Sequence, residues 1–264
     1  MKLKKIIISF TASCVIMSQA IIANATVSDQ YVDKGYTKKV MAQIHTKFTN
    51  NAMQKLNQYS FYVVNQELYK IPNILYRDEN SKGSANFENK EVIIYETPNN
   101  LTNTIWHAYH EAAHCLDYDL AKDNGELGLY SNTQEYNQIS DEEWNNISPY
   151  SNYVASHLNI HEEFAESFTM FVMHPDILKN VAPKTFAYLD KLGFVKQSEL
   201  NSSTSNDITG WSYVNQIWSY SENGKWVNGW KEIDGEWYYF INGTMAKNTT
   251  INGYYINDDG VWVA

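Results

Sequence analysis

Cysteine is nearly absent from this chain: Cys14 and Cys115 are the two among 264 residues. A small scaffold stapled by disulfides is excluded, and a chain of this length has to bury a hydrophobic core of its own. Positive charge is scarce too. Twenty basic residues against 30 acidic ones give a formal net charge of −10. Such an acidic chain is a poor partner for nucleic acid or for anionic lipid. Long apolar runs are confined to one place, Ile6 to Ile22, which is interrupted by Ser9, Thr11, Ser13, Ser18 and Gln19. That run is too polar for a stable membrane span, and no other stretch is long enough.

The one apolar run belongs to a leader. Met1-Lys-Leu-Lys-Lys5 is a basic start, and Ala23-Asn24-Ala25 is an A-x-A cleavage pattern. Residues 1–25 are expected to be a secretory signal peptide, cut after Ala25. Cleavage removes three lysines and no acids, so the mature chain sits at about −13 with Cys115 as its single thiol. Cys115 reads as a small packed residue rather than a nucleophile. The expected location is outside the cell, with no membrane span in the mature chain.

Within Leu101–Tyr118 lies His110-Glu-Ala-Ala-His114. Residues four apart on a helix stand one above the other, so two imidazoles at this spacing can meet one metal ion. The glutamate between them is turned away by about 100° per residue and can lean over the metal's open side. This is the arrangement of a zinc peptidase, with His110 and His114 as ligands and Glu111 as general base. Leu101, Ile105, Ala108, Tyr109, Ala112, Leu116 and Leu120 form an apolar stripe at helical steps, while His110, His114 and Asp117 share another face. His107, one turn earlier, is the alternative histidine.

The segments around this helix are less regular. Lys38 to Glu67 reads as helical, Ile71 to Arg77 as a short strand, and Ser81 to Asn86 as turn chemistry. Glu91-Val-Ile-Ile-Tyr95 reads as a strand that can serve an extended peptide as an edge. Ala121 to Tyr150 is expected to be loop with at most one short helix, anchored by Trp144, its acidic cluster Asp141-Glu-Glu143 solvated.

A catalytic zinc needs a third protein ligand and an open fourth position. Asn159, followed three residues on by Glu162, is a helix start, and Phe164, Phe168, Phe171 and Val172 form its apolar side. Spacing alone leaves Glu162, Glu163 and Glu166 open as the third ligand. Asp117 reads as support for a histidine from the second shell. His157 and His161 read as loop or surface residues, with contact to substrate the alternative for either.

His110-Glu-Ala-Ala-His-Cys-Leu-Asp117 followed by Glu162-Glu-Phe-Ala-Glu-Ser-Phe168 resembles the lethal-factor-like zinc metallopeptidases, among them the secreted bacterial Pro-Pro endopeptidases. The resemblance runs from about Glu91 to Leu192 and includes the helix Pro183–Leu189. It implies an α+β, zincin-like fold and one Zn²⁺ per catalytic domain. It also implies Glu162 as third ligand, with Glu166 supporting it from outside, and a protein or peptide substrate. The family's catalytic tyrosine, seven residues before the ligand, falls on Ala155. Tyr153 takes that role if the loop carries a two-residue insertion, with Tyr150 the alternative.

The composition changes after a polar linker at 201–209. Six of the eight tryptophans lie between Trp211 and Trp262. Gly229 to Gly243 is one aromatic hairpin unit, Trp218 to Gly229 an earlier copy turning at Asn223-Gly224, and Asn252 to Trp262 a later one. These units resemble the choline-binding, cell-wall-binding repeats of secreted bacterial proteins. The resemblance implies a small all-β hairpin-repeat solenoid over 210–264 that binds choline or a wall glycopolymer. Trp230, Trp237 and Tyr254 are the candidate cage residues for a quaternary ammonium.

The organisation expected is a signal peptide (1–25), a zincin-like peptidase domain (26–200), a linker and a wall-binding module. Two other readings remain at this point: a wall-binding or adhesive protein with an inactive peptidase-like domain, and a metal-dependent hydrolase of peptidoglycan cross-links.

Overall fold

A computed structural model describes residues 27–71, 82–95, 101–126, 128–147, 160–201, 209–214, 217–241 and 243–263. The expected signal peptide, the strand expected at Ile71 to Arg77 beyond its first residue, Asn159, and most of the expected linker at 201–209 lie outside the described residues.

Helices α1 (Lys34–Lys47) and α2 (Asn50–Leu56) open the first region and are followed by strand β1 (Ser60–Val64). The helix expected to continue to Glu67 therefore stops at Leu56. The Asn57–Tyr59 turn breaks it, and the β-branched pair Val63-Val64 enters a sheet. Strand β2 (Gly83–Asn86) occupies what reads in sequence as a turn, and β3 is Glu91–Tyr95. The order is β1-β3-β2, with β1 parallel and β2 antiparallel to β3. The strand expected at an edge, β3, is thus the middle one, and β2 is an edge. Alternation serves both faces of the sheet. Phe61, Val63, Val92 and Ile94 join the main core, while Val64 and Ile93 join a smaller one with Val27, Leu68 and Ile71.

Helix α3 (Leu101–Asp123) runs through the main core. It is buried well beyond the expected stripe: Trp106, Ala113 and Cys115 are enclosed along with Ala108, Tyr109, Ala112 and Leu116. Packing against both the sheet and a second long helix, α5 (Ile160–Met173), explains the near-complete enclosure.

Between them, α4 (Gln134–Ile147) is a 14-residue helix where loop with at most one short helix is expected. Its buried positions Tyr136, Ser140, Glu143, Trp144 and Ile147 keep helical spacing, but two of the five are polar, which hides the stripe in the sequence. Glu143 is not solvated. It is 7% exposed and accepts hydrogen bonds from Lys184 N (3.1 Å), Thr185 N (2.8 Å) and Thr185 Oγ1 (3.0 Å). It thereby caps α7 (Pro183–Leu192), which follows α6 (Pro175–Val181); α8 (Gln197–Asn201) ends the region.

The remaining strands form hairpins. They are β4 (Gly210–Val214), β5 (Ile217–Glu222), β6 (Lys225–Trp226), β7 (Gly229–Ile233), β8 (Glu236–Ile241) and β9 (Thr244–Met245) in one sheet, and β10 (Thr249–Ile251), β11 (Tyr254–Ile256) and β12 (Trp262–Val263) in another. Asn223-Gly224, Asp234-Gly235 and Asn252-Gly253 all have positive φ, as tight hairpin turns demand. A bridge between Tyr238 and Val261 joins the two sheets. The inner face packs Ile233, Phe240 and Met245 with Trp211, Tyr220 and Tyr238. This module touches the first region: Trp226 packs on the main core, and Asn180 Nδ2 on α6 donates to Gly224 O (3.3 Å).

Candidate active site

Helices α3 and α5 cross so that His110, His114 and Glu162 face one another. Their ligand atoms all lie within 4.8 Å of each other. His110 Nε2 stands 3.1 Å from Glu162 Oε2, and His114 Nε2 stands 3.5 Å from Glu162 Oε1. Ligands bound at 2.0–2.1 Å to a tetrahedral zinc stand about 3.3 Å apart. Two imidazole nitrogens and a carboxylate at these separations are thus spaced as a metal's donors. The residues fit the ion that the sequence implies.

The electrostatics fit as well. Burial favours neutral imidazoles, but hydrogen bonds to Glu162 and Glu166 outweigh it at His110 and push its pKa up to about 10. At His114, burial is again outweighed, by the Glu162 charge, and the pKa is raised. Burial also opposes the Glu162 carboxylate, yet the two histidines hold it well below its ordinary range. A site that gathers cationic character around one partly exposed carboxylate is one where protons occupy positions suited to a metal.

Glu163 is not part of this cluster. It accepts a hydrogen bond from Ser140 Oγ on α4. Glu166 lies behind His110, with Oε2 3.8 Å from Nδ1 and the side chain 1% exposed. Asp117 meets neither ligand histidine by a described hydrogen bond. It accepts from Ser131 N (2.7 Å) and Ser131 Oγ (2.6 Å). Ser131 Oγ in turn meets His161 Nδ1 at 2.7 Å. His161, expected at the surface, instead joins a chain of contacts from α3 to the first turn of α5, beside Glu162. His107 is 8% exposed, and burial lowers its pKa to about 3; it stays a neutral core residue outside the cluster. Tyr150, Tyr153, Ala155 and His157 lie outside the described residues.

Glu111 is 8% exposed, and burial raises its pKa against the pull of His114 and His110. A carboxylate raised in this way is a better proton acceptor near neutral pH than a solvated one. Edge strand β2 passes beside it at Gly83. Cys115 is fully enclosed, and burial raises its thiol well above the ordinary value, so it has no nucleophilic character.

In the hairpin module, Trp230 pairs with Tyr239 on the outer face. Tyr254 meets Trp230 edge-on at 5.7 Å between centroids, and Trp262 meets Tyr254 at 5.7 Å, both at 82°. Trp262 is therefore a member of this ring cluster that sequence reading missed. Its only trace in the sequence is its place at the end of the last copy. Trp237 is 40% exposed on the same face of β8, two residues before Tyr239.

The family model described as "Anthrax toxin lethal factor, N- and C-terminal domain" matches residues 17–192. No curated protein matches the chain. Among solved structures, choline binding protein F from Streptococcus pneumoniae is similar at 33% identity, covering 28% of this chain and 22% of that one, with a TM-score of 0.20. The choline-binding domain of Spr1274 in Streptococcus pneumoniae shows 34% identity over 21% of this chain and 82% of that one, TM-score 0.20. The Pro-Pro endopeptidase from Paenibacillus alvei shows 15% identity over 61% of this chain and 92% of that one, TM-score 0.44. The chain spans about a fifth of the length of choline binding protein F. With two thirds of its residues under one family match, including both helices of the site, the chain belongs to the anthrax toxin lethal factor family.

Proposed function

We propose that the protein is a secreted zinc endopeptidase held at the cell wall by its C-terminal hairpins. The observation that carries the reading is the convergence of His110 Nε2, His114 Nε2 and the Glu162 carboxylate beside a buried Glu111. Zinc, when bound, would polarise the scissile carbonyl and make a water molecule more acidic. Glu111 takes the proton of the attacking water and passes it to the leaving amine. Glu166 keeps His110 oriented from behind. Tyr153 is assigned to donate a hydrogen bond to the developing oxyanion. Edge strand β2 offers backbone groups to an extended substrate. Bonds between prolines are the first specificity to test, on the resemblance of the sequence motifs.

In the module, Trp230, Tyr254 and Trp262 meet at near right angles and present ring faces suited to a quaternary ammonium such as choline. The leader at residues 1–25 would export the chain, residues 26–200 would form the peptidase domain, and 210–264 the wall-binding module.

The test is cleavage of a mixed peptide library by the mature protein, read by mass spectrometry, beside Glu111→Ala and a chelated sample. Cuts lost in both controls support the reading. Cuts that persist in Glu111→Ala overturn the assignment of the base. Zinc bound with no cut in any peptide, together with release of muropeptides from purified wall, would instead favour a cross-link hydrolase.

A further inference from the structure

Gly83 sits on edge strand β2 against the side chain of Glu111. A Cβ added there would overlap Glu111 Oε1 and stand 2.6 Å from Cγ and 2.7 Å from Cδ. Gly83 is not among the glycines with positive φ, so its backbone conformation does not call for glycine. Glycine inside a strand weakens it, and where the backbone is unstrained it marks a close approach by another group. Here that group is the carboxylate between the two histidines. Glu111 is 8% exposed, so it can yield to a new methyl group only by leaving its place.

We infer that Gly83 is a positioning residue for Glu111: its missing side chain lets the carboxylate lie between β2 and the His110–His114–Glu162 cluster. The inference rests on the peptidase reading for its catalytic consequence. The contact itself stands on geometry alone. Gly83→Ala moves the carboxylate and leaves the three ligands in place. A purely structural role of the strand, or a role in gripping substrate, would raise KM instead.

The experiment uses the mature full chain. Zinc affinity is measured by competition with a chromogenic chelator, and kcat and KM on a peptide that the wild type cleaves. Gly83→Ala is expected to lower kcat by roughly 100-fold or more, the scale of a lost general base, with KM and zinc affinity unchanged. A second measurement does not depend on activity. In zinc-free protein, Gly83→Ala is expected to lower the melting temperature when Glu111 is present and to have no such effect in the Glu111→Ala background. If Gly83→Ala does not fold, the double variant must fold. Unchanged kcat, an equal loss of stability in both backgrounds, or failure of both variants to fold overturns the inference. Failure of the wild type to cleave in a Glu111-dependent way sinks the peptidase reading, and the melting comparison still decides the contact.

Discussion

The two regions of the molecule use aromatic residues in opposite ways. In the first, Trp106, Tyr109, Tyr136, Phe164, Phe168 and Phe171 are all 2% exposed or less. In the second, Trp218, Trp237, Tyr254 and Tyr255 are 40–50% exposed. Phe48 lies against Tyr109 of α3 and Phe168 of α5, and this packed layer holds a few polar groups in a fixed place. The hairpins bury a thin inner layer and leave the outer rings to solvent. Burial thus builds a rigid site from charged groups in one region. In the other, the exposed rings themselves are the surface on offer. The contrast teaches that a high aromatic content has no single meaning. What decides is whether the backbone has a second layer to cover both faces.

The sharpest way to break this comparison is at the ligands. Glu162→Ala removes the one carboxylate between two histidines, and zinc affinity is expected to fall by more than the roughly 10–100-fold typical of losing an outer partner. Glu163→Ala, which faces Ser140 on α4, is expected to leave zinc affinity unchanged. The reverse pattern in a chelator competition would reassign the third ligand. Neither change should alter ligand binding by the hairpins. Next in size is the core itself. Phe168, fully buried against Phe48, Phe164 and Phe171, is expected to cost about 3–5 kcal/mol of stability as Phe168→Ala. Tyr255→Ala, at a position 47% exposed, should stay within about 0.5 kcal/mol. Denaturant titration of both variants measures the gap, and equal losses would erase the contrast.

The site was legible in the sequence where its chemistry lies on unbroken helices. His110, Glu111 and His114 declare their geometry by spacing alone, whereas spacing leaves Glu162, Glu163 and Glu166 open and only the family resemblance singles out Glu162. The helix α3 was legible as a helix but not as a buried one, since enclosure is set by what packs on its polar side. Strand β2 and the length of helix α4 escape the sequence for different reasons. Gly83-Ser84 looks like a turn because the close approach of Glu111, remote in sequence, is what calls for glycine. In α4, Ser140 and Glu143 interrupt the apolar stripe because their partners, Glu163 and the start of α7, come later in the chain. The contact of Ser131 with His161, 30 residues apart, carries no local pattern at all. In the hairpins, Asn-Gly and Asp-Gly turns announced the strands, but only the fold brings Trp262 to Tyr254.

A smaller effect sharpens the comparison within the module. If the outer rings form a cage, Trp230→Ala, Tyr254→Ala and Trp262→Ala should each weaken binding of choline by about 0.5–2 kcal/mol, measured by calorimetry. Trp237→Ala should do less, since Trp237 is not one of the rings in contact across Tyr254. Cleavage of a soluble peptide should be unchanged in all four. Equal losses at Trp237 would move the cage along β8.

The smallest effect concerns the seam between the regions. Trp226 leaves the outer-ring pattern and packs on the main core, while Asn180 Nδ2 reaches Gly224 O at the turn of the same hairpin. The β5–β6 hairpin therefore belongs partly to the first region. Trp226→Ala removes apolar contact of roughly 1–2 kcal/mol. The module is small, so a loss of that size should lower its melting by several degrees, at about 4–8 °C per kcal/mol, and separate it from the melting of the larger region in a calorimetric scan. The main transition, zinc affinity and peptide cleavage should all be unaffected. A scan unchanged by Trp226→Ala would mean that the two regions unfold independently, and that the contrast in their aromatic use extends to their energetics.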